Sequence, residues 1–297
     1  MMDFGRLITA MVTPFDAQGA IEWETLGRLV DHLIEVQRND AIIVCGTTGE
    51  SPTLTDEEKA ELFRYVVRRA NGRCKVIAGT GSNSTAHTIH LTHEAEQAGV
   101  DGILLVAPYY NRPSQEGLYR HFSAVAASTK LPIMLYNIPG RTGINVEVST
   151  TLRLAREFDH IVATKESITD FDAFTRLVAE SPEHFRVYSG DDGITLPVLS
   201  VGGYGIVSVS SHIVGAQMKE MIEAYLAGRV ADAAALHQKL SPVFSAMFNC
   251  PHRVPSPAPV KHALKLRGID VGGLRLPLVG VTEAEGRFIE DVLNRFF

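Results

Sequence analysis

A lysine follows the apolar run Ile161-Val162-Ala163-Thr164, with Glu166 next in the chain. An amine at the end of so apolar a segment is partly desolvated, and desolvation favours the neutral form that attacks a carbonyl. The plainer reading is that Lys165 simply ends a strand beside Glu166. Upstream, Tyr136-Asn137-Ile138-Pro139-Gly140-Arg141-Thr142 supplies a phenol that can relay protons. It also supplies an arginine whose planar fork can grip a carboxylate with two parallel hydrogen bonds. A surface ion pair is the alternative for Arg141. Gly46-Thr47-Thr48-Gly49-Glu50-Ser51 has two glycines that let a backbone approach a ligand. Its threonine hydroxyls and amides suit a carboxylate. No lysine follows in the pattern of a phosphate-binding loop, so a triphosphate is not indicated. In Pro108-Tyr109-Tyr110-Asn111-Arg112-Pro113, paired tyrosines held between prolines serve either as rigid hydroxyls or as interface packing.

Two further groups are weaker. Asp191 and Asp192, after Ser189-Gly190, could bind Mg²⁺, but a metal needs more ligands, and acids also suit the start of a helix. His87, His90 and His93 recur along one drifting helix face and could hold a transition metal. Leu91, Ala95 and Ala98 define the buried face there, so a solvated polar face is the better reading for His90 and His93.

Such groups must be positioned by a frame. Eight short apolar runs recur: Leu7 to Val12, Ala41 to Val44, Lys75 to Ala78, Gly102 to Val106, Ile133 to Tyr136, Ile161 to Thr164, Arg186 to Tyr188 and Gly205 to Val209. They mostly lack alternation with charge, as expected of parallel strands buried on both faces. Between them lie segments of helical period, such as Trp23 to Gln37, with Leu26, Leu29, Val30, Leu33 and Ile34 on one face. Others are Gln115 to Ser128, Val148 to Phe158, Phe171 to Val178 and His212 to Leu226. Thr55 to Glu58 is a capping box before Lys59 to Ala70, and Thr282 to Glu285 is another. Eight strands alternating with eight helices predict a (β/α)8 TIM barrel in the α/β class, with its chemistry where the strands end. Residues 1–228 would form this barrel. Residues 229–297 would form a C-terminal helical extension, interrupted between Pro251 and Pro259.

Composition narrows the function classes. Apolar residues are 45% and charged residues 21%, the balance of a globular domain rather than a disordered chain. No apolar stretch approaches the roughly 20 residues of a membrane span, and the N-terminus lacks the pattern of a secretory signal. The net charge of −6, without a Lys/Arg-rich block, gives no nucleic-acid footprint. Cys45, Cys74 and Cys250 form no Cys-x-x-Cys pair and no disulfide framework, which fits a reducing cytoplasm.

At these positions the chain resembles the dihydrodipicolinate synthase and N-acetylneuraminate lyase superfamily of pyruvate-dependent class I aldolases. The likeness runs from about Gly5 to the C-terminus. It rests on Gly46 to Ser51, Pro108 to Ser114, Tyr136 to Thr142, Lys165-Glu166 and Ser189 to Asp192, in that order. The resemblance implies that Lys165 forms a Schiff base with pyruvate. Tyr136 would shuttle protons, linked through Thr48 to a Tyr110 that enters from a neighbouring subunit. Thr47 and Thr48 would hold the pyruvate carboxylate, and Arg141 that of L-aspartate 4-semialdehyde. Backbone groups of Gly190 and Val207 would line the pocket. It further implies no metal or organic cofactor and a homotetramer built as a dimer of dimers. Arg141 within Pro-Gly-Arg-Thr, with the Tyr-Tyr-Asn-Arg-Pro motif, favours the synthase branch over a sister aldolase for N-acetylneuraminate or a keto-sugar acid. Ser167 departs from the alanine of many members. Feedback by lysine is expected to be weak or absent, because His87 stands where sensitive relatives carry a glutamate.

Overall fold

The computed structural model describes residues 2–168 and 170–297. Its eight strands are β1 Leu7–Ala10, β2 Ala41–Val44, β3 Lys75–Gly79, β4 Gly102–Val106, β5 Ile133–Asn137, β6 Ile161–Glu166, β7 Arg186–Ser189 and β8 Gly205–Ser208. Each pairs in parallel with the next, and β8 pairs with β1 to close the barrel. The apolar runs lack alternation because both faces are covered. Ile8, Ile43, Ile77, Leu104, Met134 and Val207 fill the interior, while Leu7, Ile42, Val76, Ile103, Leu135 and Ile206 pack against helices. Burying each such side chain contributes about 1.5–3 kcal/mol.

The helices are α1 Trp23–Asp31, α2 Asp56–Ala70, α3 Thr85–Ala98, α4 Gln115–Ser128, α5 Pro139–Thr142, α6 Val148–Glu157, α7 Phe171–Glu180, α8 Thr195–Ser200 and α9 Ser211–Leu226. Then come α10 Val230–Ala246, α11 Ala258–Leu266 and α12 Glu283–Phe296. Both expected capping boxes are present, at Thr55 and Thr282. The expected helix to Gln37 does not run through as one α-helix. It ends at Asp31, and His32–Val36 winds as a π turn. The Gln37 side chain accepts from the amide of Gly215 at 2.6 Å, and His32 contacts the His212 carbonyl at 3.0 Å, so the last turn is fixed by α9 rather than by its own period. One short helix, α5, is additional to a simple strand–helix alternation, since α6 also lies between β5 and β6; α8, also short, is the helix between β7 and β8.

One irregularity decides which way Lys165 points. Ile133 pairs with Ile161, but the next residue, Met134, pairs with Ala163, leaving Val162 as an extra residue in β6. Side chains alternate along a strand, so one inserted residue turns every later one to the other face. Ile161 faces the helices, and unbroken alternation would send Lys165 there too. With the insertion, Val162 and Ala163 both pack in the interior cluster. Lys165 then registers with the inward-facing Tyr136 and Tyr188.

Glu166 consequently points outward, between β6 and the segment after β5, and is 2% exposed. Its carboxylate accepts from Thr164 Oγ1 and from Asn137 Nδ2, each at 2.8 Å. Asn137 also donates to Asn145 Oδ1 and accepts from the Val146 amide, so both ends of the loop bearing Arg141 are tied to β6. Burial pushes the Glu166 carboxyl up from its ordinary 4.5 to about 7, against the pull of those two hydrogen bonds. Between these values the folded chain holds a proton that the unfolded chain has released. The associated stability is full below the unfolded value and is lost as pH rises through the folded one. Glu166→Gln removes this titration. Its Tm relative to the parent is expected to rise between about pH 5 and pH 8. A difference that stays flat across that window, measured by thermal melts, would show the carboxyl ionised throughout.

Candidate active site

The C-terminal ends of the strands open into a cleft of about 560 Å³ lined by Thr47, Thr48, Tyr136, Arg141, Lys165 and Gly190, among others. Six of the expected site residues are thus brought together from four strand ends and a short helix. Lys165 is 6% exposed, and its Nζ lies 4.1 Å from the centroid of the Tyr136 ring, itself 4% exposed. Opposite, a Cβ on Gly190 would fall 2.0 Å from Ser167 Oγ and 2.9 Å from Lys165 Cε. Only glycine leaves room for the lysine side chain there. Ser167 Oγ is buried against this point and has no hydrogen-bond partner among the described residues.

Thr47 and Thr48 sit on a tightly wound loop after β2. The Gly49 amide donates to the Gly46 carbonyl and the Glu50 amide to the Thr47 carbonyl, both at 3.1 Å. Cys45 and Glu50 both have φ of 57°, the left-handed region that costs a non-glycine residue about 1–3 kcal/mol and persists only when surroundings hold it. Thr13 Oγ1 holds the Gly49 carbonyl at 2.7 Å. A Cβ at Gly79 would lie 2.3 Å from the Cys45 carbonyl oxygen, so β3 carries glycine where the loop crosses it. Arg141 lies exposed on α5, which opens with Pro139 and stops at Gly143, φ 74°.

The side chains of two further expected site residues do not line the cleft of this chain. Tyr110 is 89% exposed in the single chain, at φ 73° on the loop after β4, and does not line the cleft. The Val207 side chain packs inside the barrel, in register with Ile8, and Val209 is the residue after β8 that lines the cleft. The two aspartates also separate in role. Asp191 behaves as a helix start, accepting from the Gly193 amide at 2.9 Å. Asp192 is the first residue of that short helical turn, and its carboxylate, 1% exposed, also accepts from the Ser210 amide at 2.8 Å, sewing the loop after β7 to the loop after β8. Burial pushes its carboxyl up. Among the described residues no three His, Cys, Asp or Glu side chains group as metal ligands. His90 and His93 are exposed, whereas His87 bonds Asp56 at 2.8 Å.

An adjoining cleft of about 430 Å³ shares Thr47, Tyr136 and Arg141 and runs out to Pro52, Asp56, Lys59, His87 and Tyr109. Residues that the sequence did not single out are Phe248, Arg253 and Ser256, which wall the main cleft from the segment between α10 and α11. The prolines that break the helical pattern there were the available signal.

Comparison with known proteins agrees with this geometry. Residues 3–295 match the model of the Dihydrodipicolinate synthetase family. The chain is 55% identical to the 4-hydroxy-tetrahydrodipicolinate synthase of Bacillus subtilis, over 99% of each chain. It is 54% identical to that of Moorella thermoacetica, over 99% of this chain and 98% of the other. A crystal structure of dihydrodipicolinate synthase from Bacillus anthracis superposes with a TM-score of 0.95 at 51% identity, covering 99% of both chains. The enzyme from Cyanidioschyzon merolae, solved with lysine bound, gives 0.95 at 44% identity, again over 99% of both. On both its sequence and its architecture, the chain belongs to the dihydrodipicolinate synthetase family.

Proposed function

We propose that the protein is a 4-hydroxy-tetrahydrodipicolinate synthase that condenses pyruvate with L-aspartate 4-semialdehyde through a Schiff base on Lys165, the committed step toward diaminopimelate and lysine. The observation that carries this is the enclosed Lys165 amine beside the Tyr136 ring, in one cleft with Thr47, Thr48 and Arg141. As the free amine, Lys165 adds to the ketone carbon of pyruvate, and the carbinolamine loses its oxygen as water to give a protonated imine. Tyr136 moves the protons of that step. The imine draws electrons from the methyl group, a proton leaves, and the resulting enamine carbon forms the new carbon–carbon bond at the aldehyde. The amine of the second substrate then displaces Lys165, closing a six-membered ring and freeing the enzyme.

Thr47 and Thr48 hold the pyruvate carboxylate with hydroxyls and loop amides. Arg141, at the outer rim of the cleft, takes the carboxylate of the semialdehyde in a two-point grip that favours this substrate over the sugar acids of sister aldolases. Gly190 contributes by its lack of a side chain, and backbone groups near Val207 support the floor. The direct test supplies pyruvate with aspartate semialdehyde in one assay and N-acetylneuraminate in another. Turnover in the first alone is expected, and turnover in the second alone would replace the synthase with a lyase. No helix among the described residues is long and apolar enough to cross a membrane, and we place the enzyme in the cytoplasm.

Tyr110 supports a reading of the assembly. Its exposure and its strained backbone, on a loop braced by Asn111 to the Asn83 carbonyl and by Arg112 to the Gly143 carbonyl, suit a side chain that completes a neighbour's site. We infer that such dimers pair into a homotetramer, as the resemblance to the family implies. Mixing inactive Tyr110→Phe with inactive Lys165→Ala subunits should restore activity through hybrid sites. No recovery after demonstrated subunit exchange would mean that each site is built from one chain.

The outer cleft also bears on lysine as an inhibitor. Asp56, the carboxylate nearest to His87, already engages His87 at 2.8 Å and Lys59 at 3.7 Å. A ligand ammonium would compete with both. Loss of one charge-assisted hydrogen bond, worth about 1.5–3 kcal/mol, weakens binding on the order of ten- to a hundredfold. Activity is therefore expected to survive L-lysine at concentrations near 1 mM, about the scale of weak small-ligand binding. Strong inhibition at submillimolar lysine would contradict this.

A further inference from the structure

Glu50 ends the threonine-bearing loop, yet its side chain makes its ionic contact with a distant part of the chain. Its carboxylate lies 2.7 Å from Lys261 Nζ, on α11, and both side chains are almost wholly enclosed, at 0% and 2% exposure. The other carboxylate oxygen accepts from the Arg275 amide at 2.9 Å. Lys261 Nζ also donates to the Gly273 carbonyl at 2.6 Å and stands 4.5 Å above the Phe15 ring. The Arg275 side chain reaches the same region from outside, donating to the Thr53 carbonyl at 2.8 Å and to Glu58 Oε2 at 2.7 Å.

Stability does not explain this arrangement. Desolvating two charges costs about as much as their attraction returns, and a packed apolar pair holds a core as well or better. What an ion pair adds is direction. The Arg275 amide holds one carboxylate oxygen by a hydrogen bond, and the other, which has no hydrogen-bond partner among the described residues, lies in ionic contact with Lys261; between them they restrain a backbone held at φ 57°. That backbone is the last link of the turn carrying Thr47, since the Glu50 amide donates to the Thr47 carbonyl. Within the turn the remaining ties are short-range, apart from Thr13 on Gly49. Burial pushes the Lys261 ammonium down, and the facing Glu50 carboxylate opposes that shift.

We propose that Glu50, Lys261 and Arg275 form a positioning clamp through which the C-terminal helical region sets Thr47 and Thr48 for the carboxylate of the keto acid. None of the three lines the main cleft. The clamp rests on the reading of Lys165 and the threonine loop given above. It makes the region after residue 228 part of the binding apparatus rather than an appended scaffold.

The test uses the full chain in three variants: Lys261→Met, the charge-neutral double Glu50→Gln with Lys261→Met, and Arg275→Gln. The readout is the pyruvate concentration that half-saturates a borohydride-trapped adduct, alongside Tm and the KM for aspartate semialdehyde. Half-saturating pyruvate should rise about tenfold in the two Lys261 variants and about threefold in Arg275→Gln, which keeps the amide on Glu50 but loses the side-chain hold on Thr53 and Glu58 that places it, with the semialdehyde KM within about twofold of the parent. The double variant should keep a Tm close to the parent's while still losing pyruvate affinity, which a purely structural ion pair would not do. If Lys261→Met fails to fold, the double and Arg275→Gln decide by the same criterion. Pyruvate dependence within about twofold of the parent in the folded variants overturns the clamp alone. A parent that forms no adduct at all defeats the Schiff-base reading, and the clamp with it.

Discussion

The site depends on the face of β6 to which Lys165 belongs. Parallel strands buried on both sides place an inward residue among barrel side chains and an outward one among helices. The extra residue at Val162 moves Lys165 to the inward set. Everything else in the cleft is arranged around the amine it delivers. Tyr136 is its register partner on β5, Tyr188 its partner on β7, and Gly190 leaves the space its side chain fills. The same switch sends Glu166 outward, where it becomes the buried anchor of the loop that carries Arg141. One inserted residue thereby fixes both the reacting group and the rim of the site.

Around that point the protein accepts local costs. Cys45, Glu50, Tyr110 and Arg112 all have positive φ without being glycine, and they lie on the loops after β2 and β4. Buried carboxylates at Glu50, Glu166 and Asp192 each tie one strand-end loop to another segment. Such groups add little net stability. They cluster where positional accuracy matters, at the mouth of the barrel.

Much of this was legible in the sequence. The eight apolar runs marked all eight strands, because double burial removes polar residues from both faces. Thr55 and Thr282 announced their helices through side-chain capping, a local interaction that needs no tertiary context. Lys165, Tyr136, Thr47, Thr48, Arg141 and Gly190 do meet in one cleft. What was not legible depended on long-range contact. The insertion at Val162 shows only when β5 is laid beside β6, since an apolar run has no alternation to break. Gln37 looks like the end of an α-helix until α9 draws it into a π turn. Asp192 does open a helical turn, but nothing in the sequence signals that its buried side chain bonds the segment after β8. Glu50 reads as part of a loop motif, and its partner Lys261 lies far along the chain, in a region otherwise read only as helical.

The central claim is that this enclosed amine is the nucleophile. The measurement that tests it most directly is peptide mapping by mass spectrometry after the intact protein is treated with pyruvate and borohydride. The account predicts one reduced adduct, on the peptide containing Lys165, and none when borohydride is added without pyruvate. An adduct on another lysine, or the same labelling in Lys165→Ala, would contradict it.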